Sequence, residues 1–99
     1  MHEAALFREL RRGVDRAAAA EGADRILGVE IWIGALCHVR EPMLREAWPE
    51  IVQGTAAEGS RLVVLTSTDP SDPAADTLLI RSITVPVATG PRPTTSVRL

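Results

Sequence analysis

Residues 25–36 read Arg-Ile-Leu-Gly-Val-Glu-Ile-Trp-Ile-Gly-Ala-Leu, and no other stretch limits the possible folds as strongly. Leu27, Val29, Ile31 and Ile33 form an unbroken apolar row, while the even positions alternate Gly28, Glu30, Trp32 and Gly34. Period-two alternation rich in β-branched residues is the pattern of a half-buried strand. A one-residue slip would turn Glu30 toward the core, so the register is strongly set. A strand over 26–36 is expected, with Gly34 suited to a bend or to a close approach of another backbone.

Helical patterns flank this strand. Residues 4–21 place Leu6, Leu10, Val14 and Ala17 at four- and three-residue steps, with Phe7 and Ala18 widening the stripe. The alanine run 17–20 favours helix and Gly22 suits its C-terminal stop, whereas Gly13 inside costs ~1 kcal/mol relative to alanine. Arg8, Arg11, Arg12 and Arg16 alternate with Glu9 and Asp15, as on a solvated face carrying i,i+3 and i,i+4 ion pairs. A second helix starts at Glu41-Pro42 and carries Met43, Leu44, Ala47, Trp48, Ile51 and Val52; Pro49 is expected to kink or shorten it before Gly54.

Leu62–Leu65 reads as a second strand and Leu78–Val85 as a third, although apolar residues of the third occupy both parities. The linker between them, Thr68 to Asp76, is polar and broken by prolines. The expected class is α+β, in the order α-β-α-β-β, with two helices on one face of a mixed three-stranded sheet. Strands one and two, joined through a helix, suit parallel pairing, and strands two and three, joined by a short loop, suit an antiparallel hairpin. Residues 1–85 would form the domain. Residues 86–99, with three prolines, a glycine and no periodicity, read as a disordered tail.

Composition excludes several classes. A chain of 99 residues is one domain, and a net charge of −2 gives no reason to expect nucleic acid or an acidic membrane surface. No apolar run reaches the ~20 residues of a membrane span, and the start lacks signal-peptide character, so a cytoplasmic protein is the default. There is no P-loop, no G-x-G-x-x-G and no nucleophile elbow, so an enzyme is the weakest reading. Cys37 is the single cysteine, which leaves no internal disulfide and no Cys-x-x-Cys zinc site. Cys37 and the adjacent His38 would point to opposite faces of a strand, so a buried thiol and a separate histidine are expected. Trp32 and Trp48 fit packing or sheet-face roles.

The titratable residues of interest are His2, Glu3, Cys37, His38 and Glu41. A histidine directly after Met1 has special chemistry. The α-amine, the His2 backbone nitrogen and the His2 imidazole can close adjacent chelate rings on one metal ion, with Glu3 in a fourth position. Such a nitrogen-rich planar set suits Ni(II) or Cu(II). From the tripeptide alone, an incidental histidine at a chain terminus is the simpler reading.

The whole pattern changes that balance. Met1-His2-Glu3, Gly28–Leu36, Glu50–Leu62 and Asp76–Val85, in content, order and spacing, resemble the HypA/HybF nickel metallochaperones over residues 1 to about 85. The resemblance implies a small cytoplasmic, non-enzymatic protein with nickel at Met1, His2 and Glu3, the His2 side chain being the main ligand. It also implies a nickel-inserting GTPase partner and the large subunit of [NiFe] hydrogenase, or another nickel enzyme such as urease, as recipient. Three departures stand out, one being Pro49 directly after the aromatic Trp48 of the second helix. The family's zinc domain, with its two Cys-x-x-Cys pairs, is replaced by residues 68–76, so no zinc is expected. An acidic residue that some members carry near the nickel aligns with Arg40, leaving Glu41 and His38 as candidate neighbours. The alternative is a zinc-free HypA-like partner-binding or regulatory module that no longer delivers metal.

Overall fold

The computed structural model describes residues 3–86 and the backbone of a short strand at 96–98. Its elements are α1 (Glu3–Glu21), β1 (Gly28–Ile33), α2 (Glu41–Ile51), β2 (Arg61–Thr66), β3 (Leu78–Thr84) and β4 (Ser96–Arg98). The fold is α+β, with two helices and a mixed sheet in the expected order.

β1 is the central element. Val29, Ile31 and Ile33 are at most 1% exposed, and their face meets Leu10, Val14 and Ala17 of α1 and Leu44, Trp48 and Ile51 of α2 in one core. The strand is shorter than the sequence pattern suggests, and its apolar row is offset at the start. Ile26 is buried and Leu27 is 39% exposed, against the expected row. Ile26 donates its N–H to Ala56 O and Leu27 to Thr84 O, so the regular ladder begins only at Gly28.

α1 ends as its sequence suggests. Gly22 has φ +60°, Gly22 N donates to Ala19 O and Ala23 N donates to Ala18 O, which together satisfy the last carbonyls of the helix. The arginines divide their work. Arg12 pairs with Glu9 at 2.8 Å on the surface, as an i,i+3 pair should. Arg11 instead crosses to α2 and donates to Ile51 O at 2.9 Å, capping the C-terminus of that helix, which spacing within α1 does not reveal. α2 contains Pro49 without being cut short: it runs to Ile51, and Val52 N donates to Trp48 O directly afterwards. One missing donor in the last turn is tolerated there.

The expected hairpin of β2 and β3 is not formed. The strand order is β2-β1-β3-β4, with β1 parallel to β2 and antiparallel to β3. The linker from β2 to β3 therefore passes over the end of β1. Gly34 makes this passage possible: a Cβ there would lie 2.2 Å from Ala75 O. Leu36 N donates to Ala75 O and Gly34 N to Thr77 O, tying the crossing strap to the end of the central strand. The linker is turned internally by aspartates. Asp69 accepts from both the N–H and the O–H of Ser71, and those bonds hold its carboxyl below the usual aspartate range.

The mixed parity of β3 has a local cause. The β1–β3 register shifts between Glu30 and Ile31: Glu30 faces Ser82 while Ile31 faces Ile80, so Arg81 is an extra residue. Leu78 and Ile80 lie opposite the core residues Ile33 and Ile31, and beyond the bulge the odd residue Ile83 lies opposite Val29. Both parities are apolar because the strand changes face once. The segment expected as a disordered tail holds a further strand, since β4 pairs antiparallel with Ser82–Thr84, whose backbone would otherwise be a bare edge. Residues 87–95 and 99 lie outside the described residues.

Ile31, fully buried at the middle of the central strand, reports on this core. Ile31→Ala is expected to destabilise by about 2–5 kcal/mol in denaturant titration, and a cost below ~1 kcal/mol would contradict the packing described.

Candidate metal centre

The end of the sheet where β1 finishes gathers most of the residues singled out above. α1 runs antiparallel to β1, so its first turn lies at that end; Leu6 of α1 and Leu78 of β3 line one groove, and Leu78 faces Ile33 in the ladder. The loop 34–40 leaves β1 there, and α2 starts from it at Glu41. Both helix N-termini are thus at one end, and each carries an acidic residue in its first turn, Glu3 and Glu41. These carboxylates complement the partial positive charge of the helix starts.

The candidate residues have different surroundings. Met1 and His2 lie outside the described residues. Glu3 is exposed and opens α1, so its own N–H is one of the first four of the helix, which have no intrahelical acceptor. His38 is exposed in the loop, and Cys37 is 4% exposed within the core cluster. The two adjacent residues are therefore separated as expected, with the thiol facing inward. Glu41 is half-buried and already engaged, accepting from Arg45 Nε at 2.8 Å. Among the described residues no three of His, Cys, Asp or Glu are grouped closely enough to hold a metal ion. Trp48 packs in the core and Trp32 lies half-exposed on the sheet.

Arg40 has a role its neighbours in sequence do not announce. Its Nη1 donates to Gly34 O and to Cys37 O, both at 3.3 Å, closing the loop 34–40 on itself. A guanidinium is well suited to gather two carbonyls because its donors are fixed in a plane. Arg40 is thus a cation that shapes the loop. Two buried polar atoms without a partner, Trp48 Nε1 and Ser60 Oγ, stand at the opposite end of the sheet, near the last turn of α2 and the start of β2.

A family model described as "Hydrogenase/urease nickel incorporation, metallochaperone, hypA" matches residues 1–69, well over half of the sequence. The chain belongs to the HypA family. Its similarity to individual members is of the same extent. "Hydrogenase maturation factor HypA" of Azorhizobium caulinodans is 40% identical over 65 residues, covering 66% of this chain and 58% of that protein. The protein of the same name from Chlorobium limicola is 40% identical over 62 residues, or 63% and 53% of the two chains. That from Pyrococcus furiosus is 38% identical over 63 residues, or 64% and 45%. The chain spans about half the length of the curated relatives it matches. The family match ends at residue 69, inside the strap that crosses β1, so β3 owes its place to the sheet pairing and not to that match.

Gly34 tests the local geometry independently of metal. Gly34→Ala is expected to lower the thermal midpoint sharply, because its Cβ would meet backbone atoms of Ala74 and Ala75 at 2.2–2.8 Å. Gly28→Ala, where the nearest atom is 3.7 Å away, should change it little. Equal effects of the two substitutions would contradict the crossing strap.

Proposed function

We propose that this chain is a nickel-binding accessory protein, which holds Ni(II) as cargo at Met1, His2 and Glu3 for delivery to [NiFe] hydrogenase or another nickel enzyme. The observation that carries this reading is that the family match begins at residue 1 and so includes Met1-His2-Glu3. The donor chemistry supports it: an α-amine, a backbone nitrogen and an imidazole, adjacent along the chain, form a nitrogen-rich planar set suited to Ni(II). Glu3, exposed and without an ion-pair partner among the described residues, would assist with its carboxylate or its amide. Exposed His38 is a neighbour at the same end of the sheet, and Glu41 would first have to leave Arg45. The proposed partners are a nickel-inserting GTPase and the hydrogenase large subunit, in the cytoplasm. No helix among the described residues is long and apolar enough to cross a membrane.

The imidazole and the amine must be deprotonated to bind, at ordinary pKa values of ~6.5 and ~8 respectively. Nickel affinity should therefore fall as pH drops through this range, and binding should release protons. Calorimetric titration of Ni(II) into tag-free protein at neutral pH is expected to show one site, absent in His2→Ala and in a form whose α-amine is blocked by an N-terminal tag. His38→Ala should weaken it little. Equal binding by wild type and His2→Ala would move the site elsewhere. Binding by neither would favour the partner-module alternative, which the Arg40 cation at this end of the sheet supports.

The second part of the proposal is that the chain carries no structural zinc. Cys37 is its single cysteine and is buried in the core, and the strap after β2 is closed by its own turns. Elemental analysis should find no stoichiometric zinc, and chelators should leave thermal unfolding unchanged. One equivalent of zinc surviving gel filtration would overturn this.

A further inference from the structure

We propose that β2 is a self-pairing edge, and that a second copy of this chain is its occupant. Among the described residues β2 stands at the outside of the sheet with β1 as its one neighbour. Arg61 N donates to Leu27 O and Ser67 N to Ile33 O, so the odd residues of this parallel ladder spend their backbone groups on β1. Alternation then turns the N–H and C=O groups of Leu62, Val64 and Thr66 outward. Of these six groups, only Leu62 O has a protein partner among the described residues, Arg45 Nη1 at 3.2 Å.

Edge strands are normally guarded by proline, by lysine, by bulges or by a covering segment. β2 reads Arg-Leu-Val-Val-Leu-Thr, with no proline and no lysine, and its register with β1 is regular throughout. Its sole charge is at its first residue. Val63 and Leu65, each 41% exposed, stand on the face of the sheet away from the helices, beside half-exposed Trp32.

The strand is complementary to itself when reversed. A two-fold axis at Val64 sets Leu62 against Thr66 of the second copy and Val64 against Val64, so the outward N–H groups of each copy meet the outward C=O groups of the other. The same axis places Val63 against Leu65 of the second copy, covering both exposed residues at once. The charges do not oppose this: Arg45, which reaches Leu62 O, is paired with Glu41, and the strand's own charge, Arg61, falls opposite Ser67 of the second copy, so no like charges meet across the axis. A single strand pair of this length buries less than the ~1,200–2,000 Å² of a standard interface, so the dimer is weak and depends on concentration.

Sedimentation velocity over a concentration series, paired with amide hydrogen exchange, tests this. The mass is expected to rise from 10.7 kDa toward twice that value. Over the same range exchange should slow at Leu62, Val64 and Thr66, while Val63 and Leu65, bonded to β1, stay protected throughout. The double substitution Val63→Lys/Leu65→Lys opposes like charges across the axis and should weaken association more than tenfold. Thr66→Pro removes one outward donor without touching the β1 ladder and should act in the same direction. Unchanged protection at Val63 and Leu65 shows that a variant still folds. A chain that stays monomeric up to ~1 mM, or a dimer indifferent to both variants, overturns the proposal and leaves the edge to a different strand or the contact to a different surface.

Discussion

The burial of Val29, Ile31 and Ile33 is the constraint on which everything else in this fold rests. These side chains are at most 1% exposed and lie on the face covered by both helices. A strand that contributes its whole inward row to the centre of a small core cannot stand at a sheet edge, where one side of that row would reach solvent. β1 accordingly takes a partner on each side, parallel on one and antiparallel on the other. The bulge at Arg81 follows from the same demand, since it lets β3 present Ile83 to Val29 and Ile80 to Ile31 despite their odd separation.

Much of this was legible in the sequence because it depends on local periodicity. The alternation from Val29 to Ile33, the apolar stripe of α1 and the glycine stop at Gly22 each encode a local geometry that tertiary contacts reinforce. What was not legible depends on partners distant along the chain. A short linker between β2 and β3 argues for a hairpin, yet the first strand had already claimed the place between them. The mixed parity of β3 stayed ambiguous because a bulge is a property of two strands and cannot be read from one. Leu27 fell out of its expected row because Ala56 O and Thr84 O set the path into β1.

The candidate metal centre was legible in a different way. Nothing in spacing alone raises Met1-His2-Glu3 above an incidental terminus; collinear likeness to the HypA family does, and the family match bears out that likeness over residues 1–69. Buried Cys37 and exposed His38 are separated as expected, but in a loop and not by the alternation of a strand. The loop-closing role of Arg40 was not legible, because its acceptors are main-chain carbonyls that carry no residue-type signal. Arg11 was missed for the same reason.

The strap over the end of β1 makes this fold modular. Its two feet, at the end of β2 and the start of β3, flank a single intervening strand, so they stand about two strand spacings, or ~10 Å, apart. That gap suits any insert whose own termini lie close together, whatever its size, since the closure cost grows only slowly with length. Residues 67–77 close that gap with a short strap, pinned by Leu36 N to Ala75 O and by Gly34 N to Thr77 O. A longer segment entering at the same two feet would have to keep or replace only these strap contacts, since the remaining core contacts of β1 come from the helices, β2 and β3.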